Sequence, residues 1–217
     1  AAGESVVLLK NKDRQLPLKP SVNMAVIGDF AKNTRYQGAG SSQVVPTALD
    51  NAFECIASKL DEQGSVTYAK GYEPGKTELD QDLIQEAVDV AGLVDVVVLF
   101  VGLPATDESE GFDRKHLDIP HQQELLINAV CKENPNSVVV LTNGAPIRMP
   151  WVDAPRAILE GYLLGQAGGA AITDILFGKT NPSGKLAESF ALEQQDIPSE
   201  SWFPGTGARL KAAARAR

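Results

Sequence analysis

The chemistry-bearing residues of this chain gather in one short stretch. Asp107, Glu108, Glu110, Asp113 and Arg114 follow directly on the apolar run Asp95–Gly102. Carboxyl groups and a guanidinium in such proximity can give, take and orient protons. An unbroken apolar run reads as a strand buried on both faces, and in open parallel sheets ligands collect outside the carboxyl ends of such strands. The same residues would also serve as a solvated acidic loop that keeps a strand end soluble.

A second candidate is the loop Arg35–Ser42, which contains Gly38, Gly40, Ser41 and Ser42 and lies shortly after a strand closed by Gly28. It lacks the GxGxxG spacing and the direct opening onto a helix that a dinucleotide fingerprint requires. Its backbone N–H groups and hydroxyls suit a polyhydroxylated ligand better than a pyrophosphate, and an ordinary loop would look much the same. Neither His116 nor His121 has a partner at metal-ligand spacing, and no serine stands in GxSxG. A zinc enzyme and a Ser-His-Asp hydrolase are therefore poor fits. Trp151 is expected to pack rather than to stack on a ligand.

These residues must be positioned by an alternation of strands and helices. Short apolar runs predict strands at Met24–Ile27, Val66–Ala69, Val96–Val101, Ser137–Leu141 and Ala157–Tyr162. Between them, apolar spacing of three and four predicts helices over Thr47–Leu60, Leu79–Leu93, Pro120–Glu133 and Gln166–Phe177, with Thr47, Asp80 and Asp118 as N-caps. This pattern predicts an α/β fold, a three-layer αβα sandwich around a mostly parallel sheet of five to six strands. A leading helix is expected over Gly3–Asn11, with Val6–Leu9 seeking a partner beyond it. Gly178 should end the last helix, and Asn181–Gly184 should form a tight turn. Order thins after Phe190, and the low-complexity stretch Leu210–Arg217 carries no reading.

With 217 residues and 43% hydrophobic content, the chain can bury about 70% of its unfolded surface in one core. A net charge of −8 argues against a phosphate-binding surface, so no nucleic acid is expected as a partner. No apolar run approaches the roughly 20 residues that span a bilayer, so no membrane partner is expected, and no export signal is read in the first residues. Cys55 and Cys131 fall on predicted helices without a CxxC, which reads as buried thiols.

Taken in order, several segments resemble the C-terminal α/β-sandwich domain of glycoside hydrolase family 3, whose best-known members are β-glucosidases. They are Glu4–Asn11 with Leu16–Leu18, the Gln37–Ser42 loop, and Glu110–Arg114 running on to Leu117–Pro120 and Gln123. Val138–Pro146, Gly165 with Gln166, Asp174–Gly178 and Asn181–Leu186 continue the match. The resemblance implies that residues 1–200 form this domain and that 201–217 are a tail or the start of a missing segment.

It also implies an active site shared with a (β/α)8 barrel that carries an aspartate nucleophile and the glucose pocket. Glu110 takes the place of the family's general acid/base, while Ser41 and Ser42 fall where residues line the sugar site. The substrates implied are β-glucosides or oligosaccharides with a terminal β-linked glucosyl unit, and no metal or organic cofactor is implied. The Ser-Asp-Trp segment that carries the family nucleophile and the Lys-His pair of the sugar pocket are absent from these residues. The chain alone is therefore expected to fold without turnover. A β-xylosidase, an exo-β-glucanase, a sugar-binding or structural module, and a flavodoxin-like nucleotide binder are the competing readings. Asp113 and Arg114 are expected to pair and brace the loop.

Overall fold

The computed structural model describes residues 1–111 and 113–203. The apolar runs become β1 (Val7–Asn11), β2 (Asn23–Ile27), β3 (Ser65–Ala69), β4 (Val96–Gly102), β5 (Ser137–Thr142) and β6 (Ala157–Glu160). They form one sheet in the order β1-β6-β5-β4-β2-β3. β2 to β6 run parallel, and β1 is antiparallel to β6. Every residue of β4 is buried, as its uninterrupted valines require of a central strand covered on both faces.

The helices are α1 (Ala2–Ser5), α2 (Ala52–Ala57), α3 (Gln81–Ala91), α4 (His121–Glu133) and α5 (Gly168–Leu176). α2 packs on α5 and α3 on α4, so paired helices flank the sheet in the expected αβα sandwich. The core joins Met24, Ile27, Leu99, Leu141 and Ile158 of the strands to Ile56, Leu126 and Leu176 of the helices. Asp80 caps α3 as predicted, accepting from the Leu83 N–H at 3.2 Å. Cys131 is buried and Cys55 half-buried, and both are free thiols. Trp151 is 3% exposed, in keeping with the packing role expected of it. Among the described residues no helix is long and apolar enough to cross a membrane.

The leading helix is corrected. Only Ala2–Ser5 is helical, and Val7–Asn11 is an edge strand with Val7 opposite Glu160 and Leu8 opposite Leu159. The partner sought by the apolar run is therefore the sheet, since a short apolar run does not distinguish strand from buried helix by periodicity.

The helix predicted from Thr47 starts at Ala52 instead, capped by Asn51, whose side chain accepts from the Glu54 N–H at 2.8 Å. The residues before it spend their backbone groups elsewhere. Asp50 donates its N–H to the Gln166 carbonyl at 2.9 Å, and its own carbonyl accepts from Thr34 Oγ1 at 2.9 Å. Asp118 does not cap α4, because its carboxylate accepts from Arg148 Nε at 2.7 Å, and Pro120 occupies the cap position.

Gly178 does close the last helix, at φ 73°. Asn181–Gly184 forms no turn, and Gly184 is needed for a different reason. A Cβ there would stand 2.2 Å from the Ser5 carbonyl oxygen, and its N–H donates to the Val6 carbonyl at 3.0 Å. Gly184→Ala is expected to lower stability by roughly 1–3 kcal/mol through overpacking against backbone. Urea unfolding with a wild-type midpoint would contradict this. Of the expected tail at 201–217, residues 204–217 lie outside the described residues.

Candidate active site

The loops that follow β2, β4 and β5 emerge together at the carboxyl end of the sheet. The loop after β2 meets the loop after β4 through a parallel bridge between Ala39 and Ser109. Ala39 donates its N–H to the Glu108 carbonyl, and Glu110 donates its own to the Ala39 carbonyl, each at 3.4 Å. This two-stranded contact sets the serine loop against the acidic loop.

Glu110 and Ser41, both singled out from the sequence, are brought into direct contact. Glu110 Oε2 accepts from the Ser41 backbone N–H at 2.8 Å and from the Ser41 hydroxyl. Gly40, at φ 112°, allows the approach, since a Cβ there would lie 2.5 Å from Glu110 Cβ. The loop is braced from within by Gln37, whose side chain accepts from the Val44 N–H at 2.9 Å and donates to its carbonyl at 3.1 Å. Ser42 is exposed beside the pair.

Glu110 is itself exposed. The Ser41 hydroxyl, and after it the Ser41 backbone N–H, stabilise its charged form and hold the carboxyl below the usual glutamate range. A cleft of about 520 Å³ opens beside the acidic loop, walled in part by Asp107, His116, Asp118, His121 and Arg148. A cavity of about 30 Å³ lies under Arg35 and Tyr36. Glu110 lines neither of these two.

Glu108, two residues earlier, faces inward. Its carboxylate accepts from Arg35 Nη1 at 2.7 Å and from the Gly144 N–H at 2.9 and 2.8 Å. Its side chain is 12% exposed and that of Arg35 6%. The structure separates the two candidate acids by environment: Glu108 is committed to a buried ion pair, while Glu110 is presented on the surface. The pairing expected between Asp113 and Arg114 is corrected. Arg114 is half-buried and donates from Nη2 to the Pro146 carbonyl, while Asp113 is exposed without a salt bridge to it. Adjacent residues in an extended loop point apart, and the half-buried Pro146 carbonyl takes the guanidinium instead. Phe112 lies outside the described residues.

One further carboxyl escaped the sequence reading. Glu160, the last residue of β6, is fully buried and accepts from the Tyr162 N–H at 2.8 Å and from Asn143 Nδ2 at 3.2 Å. Burial pushes its pKa up to about 7 against those two hydrogen bonds, with a smaller contribution from the charge of Glu108. Its one mark in the sequence is a carboxyl within the otherwise apolar run predicted as the strand Ala157–Tyr162. Among the described residues no group of three His, Cys, Asp or Glu side chains is arranged to hold a metal ion. His121 Nδ1 instead sits 3.8 Å from Glu124 on its own helix.

Residues 6–212 match the family model of the glycosyl hydrolase family 3 C-terminal domain. The chain belongs to glycoside hydrolase family 3. This family 3 domain is 49% identical to the thermostable beta-glucosidase B of Acetivibrio thermocellus, with 97% of the chain and 28% of the relative covered. It is 45% identical to an exo-alpha-(1->6)-L-arabinopyranosidase of Bifidobacterium breve, covering 94% of the chain and 28% of that protein. The crystal structure of a Bifidobacterium adolescentis GH3 beta-glucosidase superimposes with a TM-score of 0.86 at 46% identity, covering 94% of the chain and 30% of that structure. The family 3 domain thus spans little more than a quarter of the length of the curated relatives it matches.

Proposed function

We propose that this chain is the part of a retaining β-glucosidase that supplies its general acid/base, Glu110. Ser41 and Ser42 line the edge of the sugar site, and a (β/α)8 barrel elsewhere in the same polypeptide provides the nucleophile and the pocket. The observation that carries the reading is the exposed Glu110 carboxyl, braced by Ser41 at the carboxyl end of the sheet and open to a surface that would enclose it. Beside it the serine loop presents Val44 and Val45, 65% and 93% exposed, an apolar tip suited to cover by the long remainder that the relatives possess.

The electrostatics support a division of labour between domains. Held by Ser41, Glu110 is ionised at neutral pH, and an acid catalyst must arrive protonated. A carboxylate nucleophile about 5–5.5 Å away would raise its pKa by like-charge repulsion, and exclusion of water would raise it further. Glu110 then gives its proton to the departing glycosidic oxygen as the nucleophile bonds to the anomeric carbon. Afterwards it takes a proton from the water that releases the sugar. No metal or organic cofactor has a part in these steps.

The substrate class we favour is a terminal non-reducing β-D-glucosyl unit, in line with the naming of relatives as beta-glucosidases. The relative named for exo-alpha-(1->6)-L-arabinopyranosidase activity, at 45% identity, supports a second reading in which a different pyranosyl unit is removed by the same acid/base. A β-xylosidase or exo-β-glucanase would use this domain in the same way, because the sugar pocket belongs to the barrel.

Incubating the 217-residue chain with an aryl β-glucoside tests the shared-site reading. No hydrolysis above a Glu110→Ala control is expected, while the full-length parent should release the phenol. Turnover by the chain alone would show that it carries a complete site and would overturn the reading.

A further inference from the structure

We infer that Glu108 is the positioning residue of the Ser41–Glu110 pair, clamping the loops that follow β2, β4 and β5 so that the two side chains meet; its catalytic consequence rests on the reading of Glu110 given above. The Glu108 carboxylate is shared between two other loops. One oxygen takes the Arg35 guanidinium at 2.7 Å, and both lie within 2.9 Å of the Gly144 N–H. Arg35 belongs to the same loop as Ser41, and Gly144 to the loop after β5. Glu108 itself lies two residues before Glu110, and its carbonyl accepts from the Ala39 N–H in the bridge beneath the pair.

The clamp is costly to lose. Arg35 Nε and Nη2 are buried and have no hydrogen-bond partner among the described residues, so Glu108 is the anchor of a largely buried cation. Removing that anchor leaves an uncompensated charge, which the loop relieves by moving Arg35 outward. Ser41 is only six residues further along. A glutamine at position 108 would keep one acceptor oxygen and turn an N–H₂ group toward either Arg35 or the Gly144 N–H, setting donor against donor. The loops would then shift relative to one another, and the two long hydrogen bonds of the Ala39 bridge, at 3.4 Å each, give them little to resist with.

Glu108 is thus distinct in role from Glu110. Its side chain is largely enclosed and its carboxylate is taken up by Arg35 and Gly144, so its influence on chemistry passes through the placement of its neighbour. A displacement of about 1 Å at a catalytic group can cost on the order of 10²-fold in rate.

The test has two independent readouts. In the 217-residue chain, the Glu110 carboxyl is titrated by carbon NMR in wild type and in Glu108→Gln, with a melting curve to establish that the variant is folded. Release of Ser41 is expected to move the Glu110 titration upward toward that of an ordinary glutamate. A folded variant with an unmoved Glu110 titration overturns the proposal, whatever Glu110 does in catalysis. Should Glu108→Gln fail to fold, Glu108→Asp, which keeps the charge but shortens the reach, is read in the same way.

In the full-length parent, Glu108→Gln is expected to lower turnover of glycosides with poor leaving groups by about 10²-fold. It should add nothing further in a Glu110→Ala background. A full multiplicative loss on top of Glu110→Ala would make Glu108 a general brace and defeat the positioning role. Wild-type turnover in Glu110→Gln alone would refute the acid/base reading and leave the titration result as the measure of the clamp.

Discussion

In the full-length parent, Glu110→Gln is expected to cut turnover of glycosides with alkoxide leaving groups by about 10²–10⁴-fold, the range spanned by the loss of a general acid. Aryl glycosides with acidic phenols should be affected far less in the bond-breaking step, because a weakly basic oxygen departs without a proton. Glutamine is the informative replacement here. It retains an oxygen that can accept from the Ser41 N–H and hydroxyl, the two contacts that hold Glu110 in the structure, while removing the proton to be given. A structural brace would survive this exchange and an acid would not. Equal losses on both substrate classes, accompanied by a lowered melting temperature, would assign Glu110 to the framework of the loop and would defeat the proposed function.

The parallel strands β2, β4, β5 and β6 were legible because they are buried on both faces. The valines of β4 and β5 write continuous apolar runs with few other solutions, and their bounds fall within a residue or two of those expected. The edge strand β1 was not legible as a strand. Its pattern of one buried residue followed by exposed and half-buried ones carries no clean alternation, and its strand character comes from pairing with β6, nearly 150 positions away.

The start of α2 was misplaced for a related reason: both backbone groups of Asp50 go to distant segments, its N–H to the Gln166 carbonyl and its carbonyl to the Thr34 hydroxyl, which no local pattern records. At the site, Glu110 and Ser41 could be singled out by their motifs. The inward turn of Glu108 could not, since it depends on Arg35 and Gly144 arriving from two other loops. Sequence adjacency misled in the case of Asp113 and Arg114, where a distant carbonyl, that of Pro146, takes the guanidinium.

Glu160 provides the second large effect, on stability rather than turnover. Its pKa is pushed up by burial to about 7, from the ordinary glutamate value of 4.5 that holds in the unfolded chain. Below about pH 4.5 both states hold the proton and the group contributes no pH dependence. Between about pH 4.5 and 7 the unfolded chain gives up its proton while the folded chain retains it, so rising pH favours unfolding. Above about 7 both states are ionised and the loss levels off at roughly 3 kcal/mol, from 1.36 kcal/mol for each unit of displacement. The carboxyls held below the usual range, Glu73 by Lys70 and Glu110 by Ser41, act in the opposite sense and weaken the fold only as the solution becomes more acidic.

Glu160→Gln removes the titration and keeps an oxygen for either the Tyr162 N–H or Asn143 Nδ2. Relative to wild type, this variant is therefore expected to gain stability by about 2.5 kcal/mol between pH 5 and pH 8, the part of the loss below pH 5 having already occurred. Urea unfolding of both proteins at the two pH values measures that difference directly. An unchanged gap between them would mean that Glu160 ionises without cost in the fold. Its surroundings at the end of β6 would then have to admit water that the buried carboxyl, with only one backbone amide and one side-chain amide to receive it, has no visible route to meet.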